Sequence, residues 1–327
     1  MSERGRSHHT VTTYREEGCM SDLTSRWYRD DDDLERMLRL VSASANADGP
    51  AGGHLHRGDV VWGLFQNPTI DPTDRIVLFE GSDGALRGFV WLHPPRGFDV
   101  HVDSTHPDVS RTAQAMIAWA EAHLATAADD AGPFTTEELA STNAVLREAF
   151  AASGYRPTGQ ADFQLNHQTL GDDPPASDLP EGVEVRAVRL DDPGEVAARV
   201  ALHQEVWAST KFTEPGYARL RERPVYRPDL DLVVVTPAGE LAAYCIVWWD
   251  PETRVGEFEP VGAAPAHRRK GYGRALLREG LRRLRTLGAT DAVVVSSTGP
   301  EWEPSRRLYA SVGFERIVLF ERWERPV

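Results

Sequence analysis

The residues with the clearest chemical potential are Ala264-Pro265-Ala266-His267-Arg268-Arg269-Lys270-Gly271-Tyr272-Gly273-Arg274. They lie between an apolar, strand-like run over 254–263 and an amphipathic helix pattern that begins at Gly271. A basic, glycine-containing turn that leaves a strand and opens a helix is suited to gripping phosphate. The helix start offers unpaired N–H groups and the positive end of its dipole, and glycine lets a ligand approach the backbone. The ligand this favours most is a cofactor carrying a pyrophosphate.

The elements that position this turn can be read from periodicity. After the linker-like stretch 169–182, rich in Pro, Asp and Gly, a strand is expected over 183–190 and a helix over 193–207. A shorter helix follows over 215–223, then a hairpin of 230–236 and 241–249 turned at Pro237-Ala238-Gly239. The strand 257–263 delivers the turn, and the helix behind it keeps Leu277, Leu281, Leu284 and Leu287 on one side. A strand over 292–296, a helix over 304–311 and a strand over 313–323 complete the half.

The first half reads in the same order. Asp30 to Asp33 precede a helical spacing through Leu34, Met37, Leu38 and Val41, and 47–57 reads as a loop containing His54 and His56. Strands over 75–80, 85–92 and 98–103 lead to a helix over 109–127, then a short extended piece, a helix over 143–152 and a strand reaching Leu165. Gly154-Tyr155 matches Gly313-Phe314, and Pro107 matches Pro265, which points to an internal duplication. The expected fold is α+β, a three-layer α/β/α arrangement with a mixed, mostly antiparallel sheet, duplicated in tandem. The expected division is a disordered leader over 1–20, a first domain over 21–168, a linker over 169–182 and a second domain over 183–327.

Composition excludes several classes. No apolar run approaches the length of a membrane span, and the polar N-terminus does not read as a secretory signal. Only two cysteines occur, Cys19 and Cys245, which argues against a disulfide framework or thiolate metal site and fits a cytoplasmic protein. No metal is expected. A net charge of −14 speaks against nucleic acid as the main partner and suits a cationic small molecule or peptide. We expect a monomer or homodimer.

Arg268-x-x-Gly271-x-Gly273, preceded by Pro265 and followed some forty residues later by Leu308-Tyr309-x-x-x-Gly313-Phe314, resembles the GNAT acetyltransferase superfamily. The resemblance implies acetyl-CoA, or another acyl-CoA, as co-substrate, bound where two neighbouring strands splay apart. It implies that the backbone of Arg268, Arg269, Lys270, Gly271, Tyr272, Gly273 and Arg274 holds the pyrophosphate. Val261, Gly262 and Ala263 would pair with the pantetheine arm much as an added strand does. Relatives often carry an Asn seven residues before the tyrosine; here Trp302 stands there, and Ser305 is a possible substitute.

Acyl transfer to an amine requires the neutral amine. An ammonium of pKa near ~10.4 costs roughly 4–5 kcal/mol to deprotonate at neutral pH, so a nearby base helps. Glu257 and Glu259 lie two apart on the cofactor-bearing strand and share a face. Some relatives carry a general-base Glu at the position of Glu257, making it the first choice and Glu259 the second. The resemblance makes Tyr309 the acid that protonates the departing thiolate. In the first half the turn reads Ser110-Arg111-Thr112-Ala113-Gln114-Ala115, and Phe150 stands where Tyr309 does. That half is expected not to turn over acetyl-CoA but to buttress the second or wall its acceptor site. The reading is an N-acetyltransferase acting on a primary amine, with one site in the C-terminal half. A catalytically silent acyl-CoA-binding module is the alternative, and an enzyme similar to mycothiol synthase a minor one.

Overall fold

The computed structural model describes residues 12–13, 23–127, 132–171 and 179–326. The expected leader, except strand β1 (Thr12–Thr13), and half of the expected linker lie outside the described residues.

Local chemistry starts the helices where the sequence signals them. The Asp30 carboxylate accepts the N–H groups of Asp32 and Asp33 and caps α1 (Asp31–Asp48), which buries Leu34, Met37, Leu38 and Val41. Before it runs β2 (Thr24–Trp27), and after it α2 (Arg57–Phe65). Then come β3 (Ile76–Glu80), β4 (Leu86–His93), β5 (Gly97–Val102), α3 (Val109–Ala127), β6 (Phe134–Ala140), α4 (Ala144–Ala152) and β7 (Arg156–Thr169). The second half repeats the series. It has β8 (Glu184–Ala187), α5 (Pro193–Val206), α6 (Glu214–Arg221), β9 (Asp231–Val235), β10 (Leu241–Asp250) and β11 (Val255–Ala263). It ends with α7 (Tyr272–Thr286), β12 (Asp291–Ser297), α8 (Glu303–Ala310) and β13 (Glu315–Arg325). Helix α2 and the short strands β1 and β2 are the elements that periodicity did not supply.

All strands join one sheet, in the order β1-β2-β3-β4-β5-β6-β13-β7-β12-β11-β10-β9-β8. The last strand of each half has crossed into the other. β7 pairs with β12 from Thr169↔Asp291 to Phe163↔Ser297, and β13 pairs with β6 from Ala140↔Phe320 to Phe134↔Arg325. Ala140, Leu165, Val293, Val318 and Phe320 bury one another along this seam. The two halves are therefore not separate sheets joined by a linker; each completes the other.

Packing repeats that message. Leu34, Val60 and Leu64 of the first half share a core with Phe212, Tyr217 and Trp248 of the second. Each large apolar side chain so buried contributes on the order of 1.5–3 kcal/mol. α2 is thus held against β10, β11 and α6. Two parallel strand pairs open like a V. β5 and β6 pair only at Gly97↔Thr135, and β11 and β12 pair only from Val255↔Asp291 to Glu257↔Val293. The second V lies directly ahead of the glycine-containing turn.

Candidate active site

Beyond Glu257 the edge of β11 facing β12 is free of ladder partners, and Val261, Gly262 and Ala263 lie on that free stretch. Their other edge is occupied by β10, through Ala243↔Ala263, Tyr244↔Gly262 and Cys245↔Val261. An extended, amide-bearing chain has the geometry to add to the open edge.

The turn then reverses the chain. Arg269 has φ 62° and Gly271 φ 83°, both left-handed; Gly271 is the N-cap of α7 and places no side chain over the helix start. Ala275 N–H is the first to bond back, to Gly271 C=O at 3.0 Å, so the N–H groups ahead of it have no helix carbonyl to meet. Alternating left-handed residues turn successive N–H groups to one side, an anion-binding concavity. Arg268 Nε is spent on Ala263 C=O at 3.2 Å and Arg274 Nε on Ser311 Oγ at 3.3 Å, while Lys270 Nζ lies 3.4 Å from His267 Nδ1. Gly273 answers to packing, since a Cβ there would stand 2.8 Å from Leu308 on α8.

Tyr309 is on α8, buried, with its ring edge-on to Phe314 at 6.3 Å. Its hydroxyl meets no hydrogen-bond partner among the described residues, and burial pushes its pKa above the usual phenol range. It therefore carries a proton. Ser305 does not offer a free hydroxyl, because its Oγ donates to Trp302 C=O at 2.7 Å. Trp302 itself stacks on Trp207 at 5.3 Å, and Trp207 Nε1 donates to Tyr244 Oη at 2.9 Å. Of the aromatic residues near it, Tyr244, Trp248 and Phe212 are core, and Trp207 and Trp249 are partly exposed.

Glu257 and Glu259 do share a face, and a third carboxylate joins them from the first half. Asp59 on α2, Glu257 and Glu259 each offer an oxygen, and these oxygens lie within 4.8 Å of one another. The two glutamates differ in access: Glu257 is 0% exposed, whereas Glu259 is partly exposed although its Oε2 is shut off from solvent. Gly58 makes the approach of α2 possible. A Cβ there would stand 2.6 Å from Glu257 Oε2 and 2.3 Å from the Trp248 ring. His56 caps α2 in a reciprocal box, its Nδ1 accepting Gly58 N–H at 3.0 Å and its N–H donating to Asp59 Oδ2 at 2.7 Å.

Electrostatics follow from this crowding. Burial pushes Glu257 up to about 7, with Asp59 pulling the other way. Burial, then the charge of Glu257, lifts Asp59 well above the carboxylate range. Burial and the charges of Asp59 and Glu257 do the same to Glu259. Glu138 on β6 keeps solvent access but is hemmed in by protein; that, with the charges of Asp99 and Asp59, brings it to about 8. Sequence reasoning missed Asp59 and Glu138. The signal for Asp59 was present: His56-x-x-Asp59 followed by Val60, Val61, Leu64 and Phe65 is a capped, helically spaced segment that begins where the 47–57 loop ends.

The first half's V holds a recess of its own. The recess between β5 and β6 is lined by His54, Leu55, Asp99, His101, Glu138 and Phe150, and the 49–56 connection lies across it. Gly53 is packed so closely there that a Cβ would meet Ala140 at 2.4 Å.

The model of the acetyltransferase (GNAT) family matches residues 199–314, which run from α5 to the edge of β13 and include the turn and Tyr309. The chain is 30% identical over 304 residues to a mycothiol acetyltransferase of Kineococcus radiotolerans, covering 87% of this chain and 90% of that one. Its fold is similar to a GCN5-related N-acetyltransferase from Sphaerobacter thermophilus, with a TM-score of 0.58 and 19% identity over 93% of this chain and 94% of the other. It is also similar to a tandem GNAT protein from the clavulanic acid biosynthesis pathway, with a TM-score of 0.62 and 18% identity over 92% and 98% of the two chains.

Proposed function

The chain belongs to the GNAT family of acetyltransferases, as a tandem member, and from that premise we propose that it moves the acetyl group of acetyl-CoA to a primary amine at a single site in its C-terminal half. The observation that carries this reading is the convergence of three features at the β11–β12 opening. These are the free N–H groups of the turn, the unengaged hydroxyl of Tyr309 and the carboxyl cluster around Glu259. In the first half the glycines of the turn are absent and Phe150 replaces the tyrosine.

In this reading acetyl-CoA lays its pyrophosphate on the N–H groups of residues 269–274 and its pantetheine arm along Val261 to Ala263. Glu259, the glutamate that solvent reaches, takes a proton from the acceptor ammonium, and Glu257 behind it shares the load. The amine lone pair then attacks the thioester carbonyl. The C–N bond forms, the C–S bond breaks, and the sulfur leaves with its electron pair and takes the Tyr309 proton. The amide nitrogen loses its second proton to the carboxyl cluster or solvent, one of the two protons shed by the amine replaces the one Tyr309 gave, and the sum is amine cation plus acetyl-CoA giving acetamide, CoA thiol and one proton. Thiol release measured over a panel of amines tests it. Tight acetyl-CoA binding with no thiol release from any amine would favour the silent binding module instead.

The likeness to the Kineococcus protein supports a second reading, in which this chain is itself a mycothiol acetyltransferase. Incubation with the deacetylated mycothiol precursor beside simple amines separates the two.

A further inference from the structure

We propose that the N-terminal half completes the acceptor site: Asp59, with Glu257 and Glu259, forms a carboxyl triad that receives the acceptor's ammonium group in exchange for a proton. The inference rests on the acetyl-transfer reading and names the chemical class of its acceptor.

The geometry is the first ground. Three carboxyls from α2 and β11 present oxygens within 4.8 Å of one another beside the β11–β12 opening. Asp59 Oδ2 is pinned by His56 N–H at 2.7 Å, which leaves its other oxygen for the triad. A separate ground is the lack of partners. Glu257 is fully buried, and apart from the backbone N–H and carboxyl of Asp59 its oxygens meet no donor, nor does Oε2 of Glu259. His56 Nδ1 stands 3.1 Å from Glu257 Oε2 but is already accepting Gly58 N–H, so it presents no proton there. Buried acceptors without donors are costly, and a group with several N–H donors relieves them.

Among the described residues, no cation fills that role. The charged and titratable groups around the triad are His56 and Arg57 on α2, Asp250 on β10, Glu138 on β6 and Tyr309 on α8. Arg57 lies 3.7 Å from Glu35, 3.7 Å from Asp250 and 3.6 Å from Glu252, facing away from the triad. Burial holds the His56 pKa down, so its ring is neutral. Without a counter-charge the triad keeps protons at neutral pH. An alkyl ammonium brings one positive charge and three donors, and one proton leaves the triad as it enters; no covalent bond changes. A carboxylate beside the amine would face the same acids, so the acceptor is an amine lacking one, not an α-amino acid.

The test uses the full chain without acetyl-CoA, so that it does not depend on turnover. Binding of n-butylamine and of glycine is measured by calorimetry at pH 6 and 7, in two buffers of different ionisation heat. We expect butylammonium to bind with release of about one proton and to tighten about tenfold per pH unit, and glycine not to bind. Asp59→Asn keeps an oxygen for His56 N–H but removes the charge, and should flatten the pH dependence to less than about threefold. An unchanged pH dependence in Asp59→Asn overturns the proposal, as does glycine binding as tightly as butylamine. So does binding of Mn²⁺ that butylamine does not displace, which would make the cluster a metal site. If Asp59→Asn does not fold, Glu259→Gln is read in the same way. Proton-coupled amine binding without acetyl transfer would sink the function reading alone; acetyl transfer with no role for Asp59 would sink this inference alone.

Discussion

His56 Nδ1 and Glu257 Oε2 stand 3.1 Å apart with no proton supplied by the histidine, because that nitrogen accepts Gly58 N–H and the other ring nitrogen lies 3.2 Å from Val255 C=O. Any hydrogen bond between them must use a proton held by Glu257. This agrees with a carboxyl that burial pushes up to about 7. The consequence for stability has a definite sign. A carboxyl whose folded pKa is raised stabilises the fold fully below its unfolded pKa, and that contribution is lost as pH rises toward 7. We expect the protein to lose on the order of 3 kcal/mol between about pH 4.5 and 7 from this group. Glu257→Gln should remove that loss, giving a melting temperature above wild type at pH 8 but not at pH 4.5. Thermal melts across pH check it; equal shifts at both ends would contradict the buried-acid picture.

Tyr309 offers a cleaner separation of chemistry from folding. Its ring is packed in the core and its hydroxyl is engaged by nothing described. Tyr309→Phe removes only the hydroxyl, so stability should change by less than about 0.5 kcal/mol. If the hydroxyl protonates the leaving thiolate, kcat should fall by about 10²-fold with little change in the KM for acetyl-CoA. A loss confined to KM would assign Tyr309 to cofactor binding instead.

What could be read from the sequence follows how local each signal is. The turn and most strands were legible because strand alternation, helix caps and glycine at a left-handed φ act within a few residues. The exchange of β7 and β13 was not, because the pairing of Phe163 with Ser297 and with Phe320 joins residues far apart in the chain that carry no mark of which sheet they enter. Asp59 was missed for the same reason: its role depends on Glu257, and only the shared core of Val60, Leu64 and Trp248 brings them together. Aromatic residues carry no mark of their place either. Tyr244, Trp248 and Phe212 have the composition of a pocket wall but fill the core, since burying such area stabilises the fold wherever it lies.

The turn makes its own prediction through Gly271. With φ at 83° and open space around its Cα, a side chain there meets no clash, only backbone strain. Gly271→Ala should therefore cost about 1 kcal/mol of stability. Relief of that strain tilts the free N–H groups of the turn, and acetyl-CoA affinity should weaken about tenfold at unchanged kcat. Gly273→Val behaves differently, because its side chain meets Leu308 and displaces α8, which carries Tyr309. For that variant kcat should fall as well. Calorimetry with acetyl-CoA and steady-state kinetics on both variants distinguish the two glycines.

The exchanged strands decide whether the catalytic half can stand alone. In a fragment spanning 183–327, β12 loses the whole ladder from Asp291↔Thr169 to Ser297↔Phe163, and β13 loses both of its neighbours. Two apolar edges are exposed, with Val293, Val318 and Phe320 no longer covered, which favours aggregation over folding. The same cut removes Asp59 from the carboxyl triad and α2 from the core that holds Trp248. We expect the fragment to show no cooperative melt and no acetyl transfer, and co-expression with residues 1–182 to restore both, because the missing strand and helix return as a separate chain. A fragment that folds on its own and keeps full activity would mean that the first half neither completes the sheet in solution nor contributes to the site, and Asp59 would then have no part in catalysis.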